Sequence, residues 1–445
     1  MSDILPGRAP PVDARFGLLQ TAPNYRQAIA SLIPAMYLAY SVLIWPLLYA
    51  RQYIAEEFDQ AGAIVPAGPN LSILAFPALF GLAALLFLAE RSRLPAVQRL
   101  PLLAMLALWG FIGLSTSWAI TPGASFKEFV VLTMVLLGMG LATMLVDSVE
   151  RLLQPLFWVL FAAMLVNLAS VLLTPAGPIG HQGIYIQKNE LGGVAAIGLL
   201  FALYGLTVRN GWYRLLGLIA VAGWLIVLAR SGSKTSLGLA LVAPMLGLGA
   251  TFARHYLRIA LPVLLVAAGL AIVLVVSGGV PGLSVGDISQ SMGGERTFTG
   301  RVEVWDFVLK QLETRQLTGF GFRSFWTYEV GDASPTIHGA SGFLQKAPTA
   351  HNGYLELLLW GGWMALALFG AVMVLVADWV SRVTDTDWRI GWMLATLFTF
   401  IGLHNLLESS WLDSNSINSI LFSMMVMAMI AGRPARPPRR VVRLI

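Results

Sequence analysis

The chain has 445 residues, 57% of them hydrophobic and 12% charged, with a net charge of +6 and no cysteine. So little polar surface cannot cover a soluble globule of this length, which makes the chain an all-α integral membrane protein. The missing thiols exclude cysteine nucleophiles, Cys-based zinc sites and disulfides, and without a long soluble module the positive charge is no nucleic-acid footprint.

In chain order, residues up to about 26 are polar and proline-bearing and lack the apolar core and cleavage pattern of a secretory signal, so the first helix is expected to be an uncleaved anchor. Apolar runs of roughly 17–25 residues, the length that crosses a bilayer, then recur along the chain. They predict twelve helices at 31–50, 71–89, 100–118, 129–146, 155–174, 191–208, 215–229, 237–253, 259–277, 353–377, 391–407 and 416–431. Basic residues gather in alternate connections: Arg91, Arg93 and Arg99, Arg209 and Arg214, Arg254 and Arg258, Arg382 and Arg389, and the tail from Arg433 to Arg443. Because Lys and Arg resist translocation, that side is the cytoplasm and both termini lie there. The organisation is a cytoplasmic segment 1–30, nine helices across 31–277, one large outer loop 278–352, three helices across 353–431 and a basic tail 432–445.

The chemistry-bearing residues fall on the outer side. A short loop, Arg230-Ser231-Gly232-Ser233-Lys234-Thr235-Ser236, offers hydroxyls and backbone N–H groups for an anion at the start of the next helix. Lys188, Arg296, Arg301 and Arg323 add positive charge on the same side, which suits a phosphate or pyrophosphate joined to a lipid, against the alternative that each snorkels to headgroups. Gly300-Arg301 opens an amphipathic helix with Val302, Trp305, Val308, Leu309 and Leu312 on one face and Glu303, Asp306, Lys310 and Glu313 on the other. The turn from Gly319 to Trp326 crowds aromatic rings around Arg323, fit either for sugar faces or for the membrane interface.

The loop closes at Thr349-Ala350-His351-Asn352, just before a membrane helix that Asn352 caps and whose first turn holds Glu356. The positive helix end favours a neutral imidazole at His351, able to accept a proton; the competing reading is an interfacial capping residue. Several motifs fail. Gly232-Ser233-Lys234-Thr235 has Ser233 where a phosphate-binding loop needs glycine, and Gly319-Phe320-Gly321 lacks the setting of a dinucleotide site. His338 and His351 lack the paired carboxylates of a metal site, so no metal is expected. Near the outer end of the eleventh helix His404 and Glu408 share a helix face, and with Asn405 they are expected to be supporting or packing partners.

These features together resemble the O-antigen ligase and Wzy-type polymerase superfamily: about twelve helices, a large late outer loop, Gly-Arg before an amphipathic helix, and His-Asn at the return. The family pattern of His-Asn, nine residues and Gly is met by His351-Asn352 and Gly362, while Ala365 stands where the family has Gly, Thr or Tyr. Lys188-Asn189-Glu190-Leu191-Gly192, Ser231 to Ser236 and Gly300 to Trp305 are most similar to ExoQ-like exopolysaccharide polymerases. The resemblance implies a GT-C type glycosyltransferase of the bacterial inner membrane, its site facing the periplasm. It would be metal-independent, inverting and without cofactor. It would move a glycan from undecaprenyl pyrophosphate to an acceptor sugar hydroxyl, with His351 as base and Arg301 on the donor pyrophosphate. Lys234 stands in the place of a second family arginine, with Arg230 as the competing candidate for that phosphate, Arg323 as a further phosphate candidate, and Asn352, Glu356, Lys188 and His338 in support. The implied partners are the undecaprenyl-pyrophosphate-linked glycan, a glycan or lipid A-core acceptor, membrane lipids and other polysaccharide assembly proteins, without nucleic acid. Polymerisation is the favoured reaction and O-antigen ligation the alternative. A transporter also fits twelve helices, but helix centres almost free of charge weigh against it.

Overall fold

The computed structural model describes residues 25–49, 71–90, 96–177, 180–208, 211–276, 301–326 and 349–436. The described elements are helices, apart from one isolated bridge between Gly177 and Gly180. Each predicted span falls on one of them: α1 (Tyr25–Leu48), α2 (Ser72–Glu90), α3 (Arg99–Ser115), α4 (Pro122–Leu145), α5 (Val149–Leu173), α6 (Lys188–Val208), α7 (Trp212–Ser231), α8 (Lys234–Leu257), α9 (Leu261–Val276), α11 (Gly353–Thr386), α12 (Trp388–His404) and α13 (Ile417–Ile430). Between α9 and α11 lies α10 (Arg301–Leu312). Among the described residues nine helices are long and apolar enough to cross a membrane, which makes this a multi-pass membrane protein. His338, Arg296 and most of the predicted outer loop lie outside the described residues.

Three local features position the site. First, α6 is mostly buried inside the bundle, and its first turn brings Asn189 and Glu190 to the lining of a cavity at one end of it. Second, the predicted loop 230–236 is almost entirely helix. Arg230 and Ser231 finish α7, Gly232 closes it at φ 64, and Ser233 caps α8 by accepting from Ser236 N. The expected concavity of free hydroxyls is therefore absent there: Ser231 Oγ bonds Leu228 O, Ser233 Oγ reaches Ser236 Oγ and Asn189 Oδ1, and all three serines are buried.

Third, α11 is broken. Gly361 and Gly362 leave the helix, the latter at φ 60, where a Cβ would collide with the Gln316 and Leu317 backbone. Carbonyls freed inside an apolar bundle must find donors. Phe320 N donates to Leu359 O at 2.6 Å, Gly321 N to Trp360 O at 3.1 Å, and Trp363 N to Gln316 O at 2.8 Å. Phe322 and Phe325 are fully buried beside the break and Phe320 nearly so. The aromatic turn is therefore a wedge in the core, where the sequence pointed to a sugar platform or an interfacial belt.

The amphipathic helix α10 is present with a shifted face. Val304, Val308 and Leu312 are buried, Trp305 is half-buried, and Leu309, assigned inward by spacing, is 51% exposed. At the far ends of the helices lie the described basic residues used for orientation, where Arg254 pairs with Asp385 at 2.5 Å and Arg436 with Asp387 at 2.5 Å.

Candidate active site

The return into α11 is a strained hinge. His351 has φ 47, a region that non-glycine residues seldom occupy, at a cost of ~1–2 kcal/mol. Its neighbours are fixed from three elements. Trp305 Nε1 of α10 donates to Ala350 O at 3.0 Å, and Ala350 N donates to Glu356 Oε1 at 2.6 Å. Asn352 N donates to Ser409 Oγ at 3.0 Å, and Gly353 N donates to Asn405 O and Glu408 O. Asn352 caps α11 as the sequence indicates, accepting from Tyr354 N and Leu355 N. Glu356 does more than meet the helix dipole: 3% exposed, it also accepts from Trp326 Nε1 at 3.0 Å and staples the hinge to the aromatic turn.

His351 faces Glu408, in the connection after α12. Its Nδ1 lies 3.4 Å from Glu408 Oε2, while Glu408 Oε1 receives Arg301 at 2.7 Å and Asn189 Nδ2 at 3.1 Å. The side chains of His351, Arg301 and Glu408 keep 24, 13 and 17% exposure, so solvent screens them less than surface pairs yet a substrate can reach them. Burial raises the affinity of Glu408 for a proton, but the His351 hydrogen bond and the Arg301 charge outweigh it and hold the carboxyl below the ordinary glutamate range. With Nδ1 directed at a carboxylate, His351 has Nε2 available for a substrate proton.

The other predicted residues spread around this cluster. Asn189 connects Glu408 to Ser233, so the start of α8, with exposed Lys234, stands two hydrogen bonds from the His351 partner. Arg230 is exposed and its guanidinium donates to Val171 O at 3.2 Å, on the α5 side of the junction. Lys188 begins α6, next to Asn189. Arg323, at φ 48, pairs with Glu128 at 3.6 Å and Asp413 at 3.5 Å. Burial opposes its charge, and Asp413, Glu128 and Glu356 outweigh that and hold the guanidinium above its usual value. No group of three or more His, Cys, Asp or Glu among the described residues is arranged to hold a metal ion.

Sequence reasoning placed Glu408 only as a packing or supporting residue, and it is the hub of the cluster. The signal was there: a carboxylate just past the end of an apolar helix, on the same side as the histidine. The pairings of Asn189 with Glu408 and of Asp413 with Arg323 carried no such signal, because the partners stand 219 and 90 residues apart.

No protein-family model matches the chain. Over 212 residues, 44% of the chain and 46% of the relative, it is 26% identical to the exopolysaccharide production protein ExoQ of Rhizobium meliloti. Over 361 residues, 76% of the chain and 61% of the relative, it is 27% identical to the general O-oligosaccharyltransferase of Acinetobacter baylyi. The chain thus spans about half the length of the curated relatives it matches. These two similarities support a place for the chain in the O-antigen ligase and polysaccharide polymerase superfamily.

Proposed function

We propose that this protein is a membrane glycosyltransferase that moves a glycan from undecaprenyl pyrophosphate to a sugar hydroxyl at the periplasmic face of the bacterial inner membrane, as a polysaccharide polymerase. The observation that carries the reading is the Glu408 carboxylate holding both His351 and Arg301. The acceptor oxygen attacks the anomeric carbon and its proton passes to His351 Nε2. The bond from that carbon to the pyrophosphate breaks, and its electron pair leaves with the lipid pyrophosphate. A positioned base and fixed positive charge on the leaving group supply the catalysis such a displacement needs. Arg301 keeps N–H donors beyond the one it gives Glu408, and these bind the pyrophosphate. Lys234 is the second phosphate ligand in preference to Arg230, whose guanidinium is turned to the Val171 carbonyl.

The longer of the two similarities, to an oligosaccharyltransferase, favours a second reading in which the acceptor is not a growing glycan. Purified protein incubated with lipid-linked oligosaccharide in EDTA separates the readings. Longer glycan on the lipid carrier supports polymerisation, and product formed only when lipid A-core or a protein acceptor is added supports ligation. Activity retained by Arg301→Ala and by His351→Ala alike overturns both.

A further inference from the structure

Glu408 has a third partner besides His351 and Arg301: the side chain of Asn189, in the first turn of α6. A carboxylate only accepts, so the amide nitrogen must be the atom that faces it, 3.1 Å from Oε1, and the amide oxygen then faces Ser233 Oγ at 3.3 Å. The helix start makes no use of this side chain. Glu190 N and Leu191 N both donate to the Gln187 carbonyl, so backbone closes the turn and Asn189 takes no part in it. The far end of the amide is held by close packing. Ser233 and Ser236 are buried, and α6 passes them over Gly192, where a Cβ would stand 2.6 Å from Ser233 Cβ and 2.7 Å from Ser236 Oγ. That approach keeps the amide oxygen on Ser233 and so fixes the direction in which the amide nitrogen points.

Glu408 Oε1 thus receives two donors, Arg301 Nη2 at 2.7 Å and Asn189 Nδ2 at 3.1 Å, the number its two lone pairs accommodate. Oε2 is left to His351 Nδ1 at 3.4 Å. Nδ1 meets a carboxylate oxygen as N–H, which leaves Nε2 as the bare, proton-accepting nitrogen. The orientation of the carboxylate therefore selects the tautomer of His351. One contact from Arg301 is a pivot about which the carboxylate can turn, whereas two donors on the same oxygen are a clamp. Packing does not replace the second donor, because Asn189 and Glu408 both border a cavity of about 420 Å³ into which a released carboxylate can swing.

We infer that Asn189 is a positioning residue that sets the tautomer of His351 through Glu408. It acts on the reaction by keeping Oε2 on Nδ1, so that Nε2 stays unprotonated and ready for the acceptor proton. The inference rests on the glycosyltransferase reading and adds to it a residue of α6, anchored on the helix that carries Lys234, as the part that keeps the base in its working form.

The test uses the full-length protein in lipid with its five histidines labelled with ¹⁵N, the His351 signals being those absent from His351→Ala. At pH ~8, above the ordinary histidine value, the ring nitrogen shifts report which nitrogen holds the proton. The unaltered protein is expected to hold His351 with Nδ1 protonated. Asn189→Leu should lower the ratio of that tautomer to the other about tenfold, the equilibrium equivalent of one hydrogen bond to a charged group. With lipid-linked oligosaccharide as substrate, the same variant lowers kcat about tenfold while the donor KM stays within about twofold, because Arg301 and Lys234 keep their charges. Ser233→Ala disturbs the α6–α8 contact but leaves the amide on Glu408, and lowers kcat less than about threefold. An unchanged tautomer ratio or an unchanged kcat in Asn189→Leu overturns the inference. So does an equal loss of kcat in Ser233→Ala, which would make Asn189 a packing residue. If the unaltered protein transfers nothing, the glycosyltransferase reading falls, and the tautomer ratio alone decides the role of Asn189.

Discussion

Two helix starts in this molecule pair a good cap with a nearby cation, and they differ in what the rest of the fold does to them. At the start of α8, Ser231, Ser233 and Ser236 are buried and spend their hydroxyls on one another, on the local backbone and on Asn189. At the start of α11 the Asn352 cap is just as complete, yet the residue before it is held at φ 47 by contacts from α10, from α11 and from the connection after α12. A cap that closes on itself is explained by helix stability alone. A left-handed histidine fixed from three directions, with its ring on a shared carboxylate, is more than a helix start requires, and it supports the role proposed for His351.

The largest effect that can break this contrast is at the strained hinge. His351→Ala is expected to lower transfer by about 10²–10⁴-fold, the usual contribution of a positioned base, and Arg301→Ala by about 10²-fold or more through lost charge on the leaving group. Transfer assays on protein of confirmed helix content read both. Next comes Glu408→Gln, which keeps shape but loses the charge holding His351 and Arg301, and is expected to cost about 10–100-fold. At the α7–α8 junction Lys234→Ala should lower kcat/KM about tenfold and Arg230→Ala less than about threefold. Equal losses there would mean that both cations, or neither, touch the phosphate. The smallest effect in activity is at the cap: Ser233→Ala removes the α8 cap and the hydrogen bond to Asn189, and should destabilise by about 1 kcal/mol, read as a modest fall in Tm with a smaller loss of kcat than Glu408→Gln gives.

Acid adds a sharper form of the comparison. Glu408 has its folded pKa depressed, so its stabilising contribution is fully present above the ordinary glutamate value and is lost as pH falls through the lower folded value. The Tm difference between the unaltered protein and Glu408→Gln should therefore stay constant from neutral pH down to about 4.3 and shrink only below it. A difference that vanishes already near pH 6 would show that the carboxylate is not held ionised by His351 and Arg301.

Much of the fold was legible because a bilayer imposes one length scale: each apolar run of sufficient length became a helix, while nine of the described helices are long and apolar enough to span, and the ends, the break in α11 and the π-turn in α1 were not read. The ends of α7 and α8 moved because Arg230, Ser231 and Lys234 read as loop by polarity, yet they continue helices that meet at Gly232 and Ser233. His351, Asn352 and Gly362 were legible as a linear motif, and the structure gives Gly362 its reason in the broken helix that receives Phe320 and Gly321. What no linear pattern carried was pairing across the chain. Arg301 and Glu408 are 107 residues apart, so a strong charge partner for a motif arginine could be seen only once the helices were packed.

The most direct measurement of the central claim is the release of undecaprenyl pyrophosphate from lipid-linked oligosaccharide by purified protein and by its His351→Ala variant. The His351–Glu408–Arg301 cluster as the reacting centre predicts loss of release by about 10²-fold or more with helix content unchanged. Release at an undiminished rate by the variant would contradict it.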